Sequence, residues 1–300
     1  MQNVPSGNEI KRMYEDLKNQ FRRNPLSADI TNRFIELGDR CAALTGTMDQ
    51  IPLGATSTSR GKNYVVFSPP NGKQSRPINI DLYYEGLALD DNGNSKIEVF
   101  WHNVLNQTIA NQPAEDITSA LYVIAMDYFI CSDTVSGVGS NYSKFFEMLI
   151  GHLYARHLNS NPSNQLNAVE LDGESISLPT DFIFDLGAGK PKLHIPVKTS
   201  TRERCVEVWA QQRILDGAFG VGRFFCLLTC VGEQNRAENN TVSITCVPNQ
   251  WINYQLFISQ ILRAYYLDVP EQYRKLNDKF PKIHVKEFGE FFHEFNHLFD

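Results

Sequence analysis

The 300-residue sequence predicts an α/β fold: a central mixed β-sheet flanked by helices, with a helical region at the N-terminus. Three observations predict it. Apolar strand-like runs come in pairs, SLPTDFIFDL with KLHIPVKTS and RFFCLLTCVG with TVSITCVP. A segment of helical character separates the pairs, and longer segments with apolar residues at the helical period precede them. Hydrophobic residues make up 42% of the chain and charged residues 21%, enough apolar surface for a large core.

Taken in order, residues 8–46 read as helical. EIKRMYEDLKNQF sets Ile10, Met13, Tyr14 and Leu17 near one face, and Ser27-Ala28-Asp29 starts a second helix. From 48 to 78 the chain is rich in Gly, Ser, Thr and Pro, which predicts loop around one short strand. Arg60, Lys62, Lys73 and Arg76 make that segment basic. NIDLYYEGLAL and SKIEVFW read as strands joined by a turn over Asp90–Asn94. PAEDITSALYVIAMDYFI, from Pro113, has a capped start and a helical period. A second helix, NYSKFFEMLIGHLYARHL, follows the glycine-containing SDTVSGVGS. Then come the hairpin of SLPTDFIFDL and KLHIPVKTS, turned by GAGKP, and a helix from Ser200 to about Ala218. RFFCLLTCVG and TVSITCVP flank the polar loop EQNRAENN. NQWINYQLFISQILRAYYL reads as an amphipathic helix, and an aromatic-rich segment closes the chain.

The net charge of −6 excludes a globally basic nucleic-acid binder, so any such contact has to come from a local patch. The six cysteines are scattered through mostly apolar runs, and no pair has zinc-knuckle spacing. Reduced, buried thiols in a cytoplasmic protein are the expectation. MQNVPSGNEIKRMYEDLK lacks an apolar signal region, and no run is long enough to cross a membrane.

The stretch IPVKTSTRER, Ile195 to Arg204, leaves a strand and runs into a knot of charge. Ser200-Thr201-Arg202-Glu203 has the form of a capping box, with Ser200 taking a backbone N–H and Glu203 reaching back. That does not explain Lys198, Arg202 or Arg204, because cations beside a helix N-terminus oppose its dipole. An anion such as a phosphate explains them better. Pro179-Thr180-Asp181 lies in the partner strand, and a hairpin can bring Asp181 beside Lys198. Phosphodiester hydrolysis uses such a grouping: carboxylates hold Mg²⁺, and a cation organises water and stabilises developing negative charge.

Lys198-Thr199-Ser200-Thr201-Arg202-Glu203-Arg204, entering a helix with Trp209-Ala210-Gln211-Gln212, resembles the type II restriction endonucleases of the PD-(D/E)XK superfamily. More narrowly, it is similar to the EcoRII, SsoII and PspGI branch, which reads sites with outer CC and GG. The resemblance spans Pro179 to Arg213. It implies a PD-(D/E)XK core, Mg²⁺ as cofactor, double-stranded DNA as substrate and a homodimer. Asp181 becomes the metal-binding aspartate and Lys198 the catalytic lysine. Arg202 and Arg204 would read guanines, and Glu203 would accept from cytosine amino groups, pairings that base-edge chemistry supports independently. The chain is then expected to be one domain over 1–300. Within it, 1–110 contributes to DNA contacts, 111–270 is the catalytic core and 271–300 is a C-terminal helical extension.

Two positions depart from the branch pattern. The acidic residue two places before the lysine is Pro196, and the glutamate thirteen places after it is Gln211, a poorer ligand for a hard cation. Glu147, in the helix before the hairpin, is the candidate for a second metal-binding carboxylate, and Glu207 is the fallback. Asp185 shares the parity of Asp181 on its strand. His293 and His297 have metal-ligand spacing, but an amphipathic helix explains them as well. Tyr64 and Phe67 are aromatic candidates for holding a flipped base, with core packing as the alternative. Two rival functions stay open: a repair nuclease or weakened DNA-binding relative of the same fold, and a non-enzymatic α/β interaction protein.

Overall fold

The computed structural model describes residues 4–299 except 71, 172, 173, 203 and 238, and for 167–176 it describes the backbone alone. Contacts divide the chain into two interleaved units. The first takes Met1–His157, Gln234–Thr245 and Gly289–Asp300, and the second takes Leu158–Glu233 and Cys246–Phe288. The chain opens in the first unit with α1 (Gly7–Arg23), α2 (Ala28–Thr45), β1 (Asp49–Ala55), β2 (Tyr64–Ser68) and β3 (Ile78–Asn79). α3 (Ile80–Leu87), α4 (Lys96–Asn106), α5 (Ala114–Thr134) and α6 (Tyr142–Leu158) follow. It enters the second with β4 (Ser163–Leu171), β5 (Glu174–Phe184), β6 (Lys192–Ile195), β7 (Val197–Lys198), α7 (Cys205–Phe219) and β8 (Phe224–Cys230). β9 (Gln234–Arg236) and β10 (Thr241–Ile244) return to the first unit. α8 (Pro248–Phe257), β11 (Arg263–Tyr266), α9 (Glu271–Arg274) and β12 (Val285–Glu287) belong to the second, and α10 (Glu290–Glu294) to the first.

Each unit has its own sheet. The first unit's strands run in the order β3-β2-β1-β10-β9, with β1 and β10 parallel. The second unit's sheet runs β12-β11-β8-β6-β5-β4, and β7 also pairs with β8. It is mixed: β6, β8, β11 and β12 are parallel neighbours, whereas β4, β5 and β6 form antiparallel pairs. Parallel strands covered on both faces read as continuous apolar runs, which is why FFCLLTC lacks alternation. On one face of this sheet Trp209 of α7 and Trp251 of α8 meet edge-on at 5.2 Å between ring centroids, and Trp251 stacks on Tyr273 at 4.1 Å. Cys226, Leu228, Ala264, Tyr266 and Val285 complete that core. In the first unit α5 is buried almost continuously from Ile117 to Cys131.

Several expected elements change. NIDLYYEGLAL and SKIEVFW are helices, α3 and α4, not strands. The reason is local: Asn79 Oδ1 accepts from Leu82 N, and Ser95 Oγ accepts from Glu98 N, so each segment opens with a side-chain cap. The expected helix NQWINYQLFISQILRAYYL stops at Phe257, and Arg263–Tyr266 becomes β11, held between β8 and β12. The segment expected to be loop around one short strand holds three, β1 to β3, and β4, β9 and β12 were not anticipated either. The helix expected from Ser200 begins at Cys205, and Ser200 is not its cap.

Candidate active site at the strand ends of the second unit

Pro196 sets up the local geometry. It has no N–H, so β6 ends at Ile195, whose register partner on β5 is Phe182. One step further, the N–H of Val197 donates to the Asp181 carboxylate, Oδ2, at 2.8 Å. Lys198 Nζ donates to the same oxygen at 3.2 Å. The lysine is carried by β7, which pairs in parallel with β8 through Val197–Thr229 and Lys198–Cys230. The expected metal-binding aspartate and catalytic lysine are therefore in contact, each partly exposed.

Between Lys198 and α7 runs a connector whose described residues lie in neither helix nor strand, and its anchor is Glu233. This carboxylate is fully buried. It accepts from Ser200 Oγ at 2.7 Å, Thr201 N at 2.9 Å, Thr201 Oγ1 at 2.6 Å and Tyr266 OH at 2.9 Å. Burial pushes its pKa up, while the Thr201, Ser200 and Tyr266 hydrogen bonds work against that. Ser200 Oγ in turn accepts from Arg202 Nε at 3.0 Å and from its backbone N at 3.4 Å. The serine thus serves a buried carboxylate rather than a helix end. Arg204 sits at the N-cap of α7 with an exposed side chain, and Glu203 lies outside the described residues. Sequence reasoning missed Glu233 because nothing in CVGEQN distinguishes it from a loop glutamate.

α7 delivers Gln211, whose Nε2 donates to the carbonyl of Pro179 at 3.4 Å, two residues before Asp181. Behind it, His194 of β6 is fully buried, its Nδ1 3.1 Å from Gln212 Oε1. Gln212 Nε2 donates to Phe224 O and Asp216 Oδ1, so its oxygen is the acceptor and His194 carries its proton on Nδ1. His194 Nε2 is then a buried lone pair without a hydrogen-bond partner. Burial pushes this imidazole down to about 4, against the Gln212 hydrogen bond, the Asp181 charge and the nearby Gln211 amide. Among the described residues no three His, Cys, Asp or Glu side chains converge as a metal cluster.

No protein-family model matches the chain, and no characterised sequence matches it significantly. A solved structure does match. The crystal structure of the type IIP restriction endonuclease Kpn2I superposes with a TM-score of 0.76 over 97% of this chain and 97% of that one, at 21% identity. The chain has a restriction-endonuclease fold. The restriction endonuclease PspGI–substrate DNA complex aligns over 73% of this chain and 87% of that one at 14% identity. Its TM-score of 0.39 is too low to add to the assignment.

The remaining candidates of this restriction-endonuclease fold lie as follows. Glu147 belongs to α6 of the first unit, where it pairs with Lys144. Asp185 lies just past β5 and pairs with Lys192 Nζ at 2.7 Å; Lys192 and the Gly187 N–H hold its carboxyl below the usual range. Glu207 is exposed, 3.9 Å from Arg204 Nε. Arg76, expected in a basic loop, makes paired hydrogen bonds with Asp133 at 2.8 Å and stacks on Tyr142. Tyr64 and Phe67 are both core residues of β2. His293 Nε2 lies 2.9 Å from Gln112 O. Among the described residues no helix is long and apolar enough to cross a membrane.

Proposed function

We propose that this chain is a Mg²⁺-dependent type II restriction endonuclease, acting as a homodimer on double-stranded DNA at a short site with outer CC and GG. The observation that carries the reading is the contact between Asp181 and Lys198 at the strand ends of a restriction-endonuclease fold. Asp181 would hold the cation through Oδ1, since the hydrogen bonds described above fall on Oδ2, and the Gln211 amide stands where the branch has its second carboxylate. One carboxylate, an amide oxygen, waters and a substrate phosphate form an acceptable, weak shell for Mg²⁺. When bound, the ion supplies Lewis acidity at the phosphate and a more acidic water. Lys198, held by Asp181, places a fixed positive charge where negative charge grows on the phosphoryl oxygens. The water oxygen bonds to phosphorus and gives up a proton as the P–O3′ bond breaks, and O3′ takes a proton from solvent, leaving a 5′-phosphate and a 3′-hydroxyl. Arg202 and Arg204 donate in pairs to guanine O6 and N7, and Glu203 accepts from cytosine N4.

Gln211 in place of a carboxylate favours one rival, a relative that binds DNA and cuts it poorly. Incubating purified protein with phage DNA and Mg²⁺ separates the readings. Discrete fragments are expected. A smear points to a repair-type nuclease, shifted but intact DNA to the binding relative, and no effect on DNA to an interaction protein.

A further inference from the structure

Glu233 is a buried carboxylate that takes no part in the hydrolysis described above, and among the described residues its donors are neutral: two side-chain hydroxyls of the connector, one backbone N–H, the Tyr266 phenol and, at 3.9 Å, the Cys230 thiol. A buried carboxylate without a cation is costly unless hydrogen bonds satisfy it. Here those bonds converge on Ser200 and Thr201, midway between Lys198 and Arg204. Ser200 has a single hydroxyl proton, and the carboxylate claims it at 2.7 Å. The serine lone pairs are thereby turned to Arg202 Nε at 3.0 Å. Without an ionised acceptor behind it, that hydroxyl could rotate and present its proton to the guanidinium, reversing the interaction.

We propose that Glu233 is a positioning residue for DNA sequence recognition: it anchors Ser200 and Thr201 and, through the Ser200 hydroxyl, aims the Arg202 guanidinium. The role rests on the reading of Arg202 as a base-contacting residue. It adds a dependence of discrimination on a carboxylate that itself touches no DNA. Thr201, doubly bound to Glu233, fixes the backbone, and Ser200 transmits orientation to the side chain.

The test uses full-length protein and two duplexes. One carries the site mapped from wild-type cleavage or footprinting, and the other has one outer G·C pair changed to A·T. Glu233→Gln and Ser200→Ala should each lower the affinity ratio between the duplexes by roughly tenfold or more, with binding to unrelated DNA unchanged. Ser200→Thr, which keeps a hydroxyl, should restore what Ser200→Ala loses. Arg202→Ala should have little further effect in the Ser200→Ala background. If Glu233→Gln does not fold, this last pair decides. Fully additive losses overturn the proposal, as does a folded Glu233→Gln with wild-type discrimination. A wild-type protein without any site preference overturns the functional reading as well, so the two failures are told apart.

Discussion

One oxygen of Asp181 accepts both the Val197 N–H and the Lys198 ammonium, which ties strand termination to lysine placement. Asp181→Ala and Lys198→Ala should each reduce cleavage at least about a hundredfold. Lys198→Ala should retain specific binding, because the base contacts are assigned elsewhere; cleavage at wild-type rate by either variant would remove both residues from the site. Gln211→Glu adds ligand charge and should lower the Mg²⁺ concentration for half-maximal cleavage. An unchanged titration would place Gln211 outside the shell. Glu203→Ala sets two physical expectations against each other. Charge alone predicts tighter DNA binding after losing a carboxylate, whereas cytosine readout predicts weaker cognate binding, by roughly 1–3 kcal/mol, and relaxed preference at the C·G pairs. Tighter binding with unchanged preference, in a variant whose unfolding matches wild type, would end the CC and GG assignment. The contact of Asp181 with Lys198 was legible because paired strands can set the two side by side, whereas the roles given to them and to Gln211 came from the resemblance. Glu233 and His194 were not legible, since their roles depend on partners 32 and 18 positions away along the chain.

At the scale of elements, periodicity found the long helices and the apolar strands, and capping explains where it misled. Ile80–Leu87 and Lys96–Asn106 are rich in β-formers, yet side-chain caps at Asn79 and Ser95 start helices there. α3 also packs at close range on α5: a Cβ on Gly86 would lie 2.2 Å from the carbonyl oxygen of Ser119. No sequence period reports such a contact. The same α5 buries Asp127, whose carboxyl is pushed up to about 7 by burial, against hydrogen bonds from Tyr83 and Thr45. An unfolded aspartate ionises near about 3.9. Between the two values the folded chain keeps a proton that the unfolded chain has lost, so stability falls as pH rises through that window. Asp127→Asn should therefore match wild type in urea unfolding near the lower end and exceed it at pH 8 by roughly 1–4 kcal/mol, given about 1.4 kcal/mol per pKa unit. An unchanged pH slope in the variant would assign the dependence to other groups.

For the whole molecule, element order predicted a mixed α/β sheet, but the division into two sheets was hidden in pairings between distant residues. Gly54 pairs with Thr241 in one sheet, and Ala264 with both Leu228 and Val285 in the other. Strand parity says which face a residue occupies, not which strand lies beside it. The homodimer reading is likewise a property of the assembled molecule, and two-fold symmetry of the DNA site is its physical motive. If each subunit cuts one strand, a dimer of wild type with Lys198→Ala has one working centre and should nick rather than cut. Wild type co-expressed with a large excess of Lys198→Ala would place nearly every active subunit in such a mixed dimer. On a supercoiled plasmid with a single site, nicked circles should then accumulate and linear product fall well below the wild-type share. Subunits that cut both strands alone would give linear product in proportion to the wild type present, with no added nicking. That outcome, with sedimentation showing a monomer on the cognate duplex, would replace the homodimer by a single-subunit enzyme.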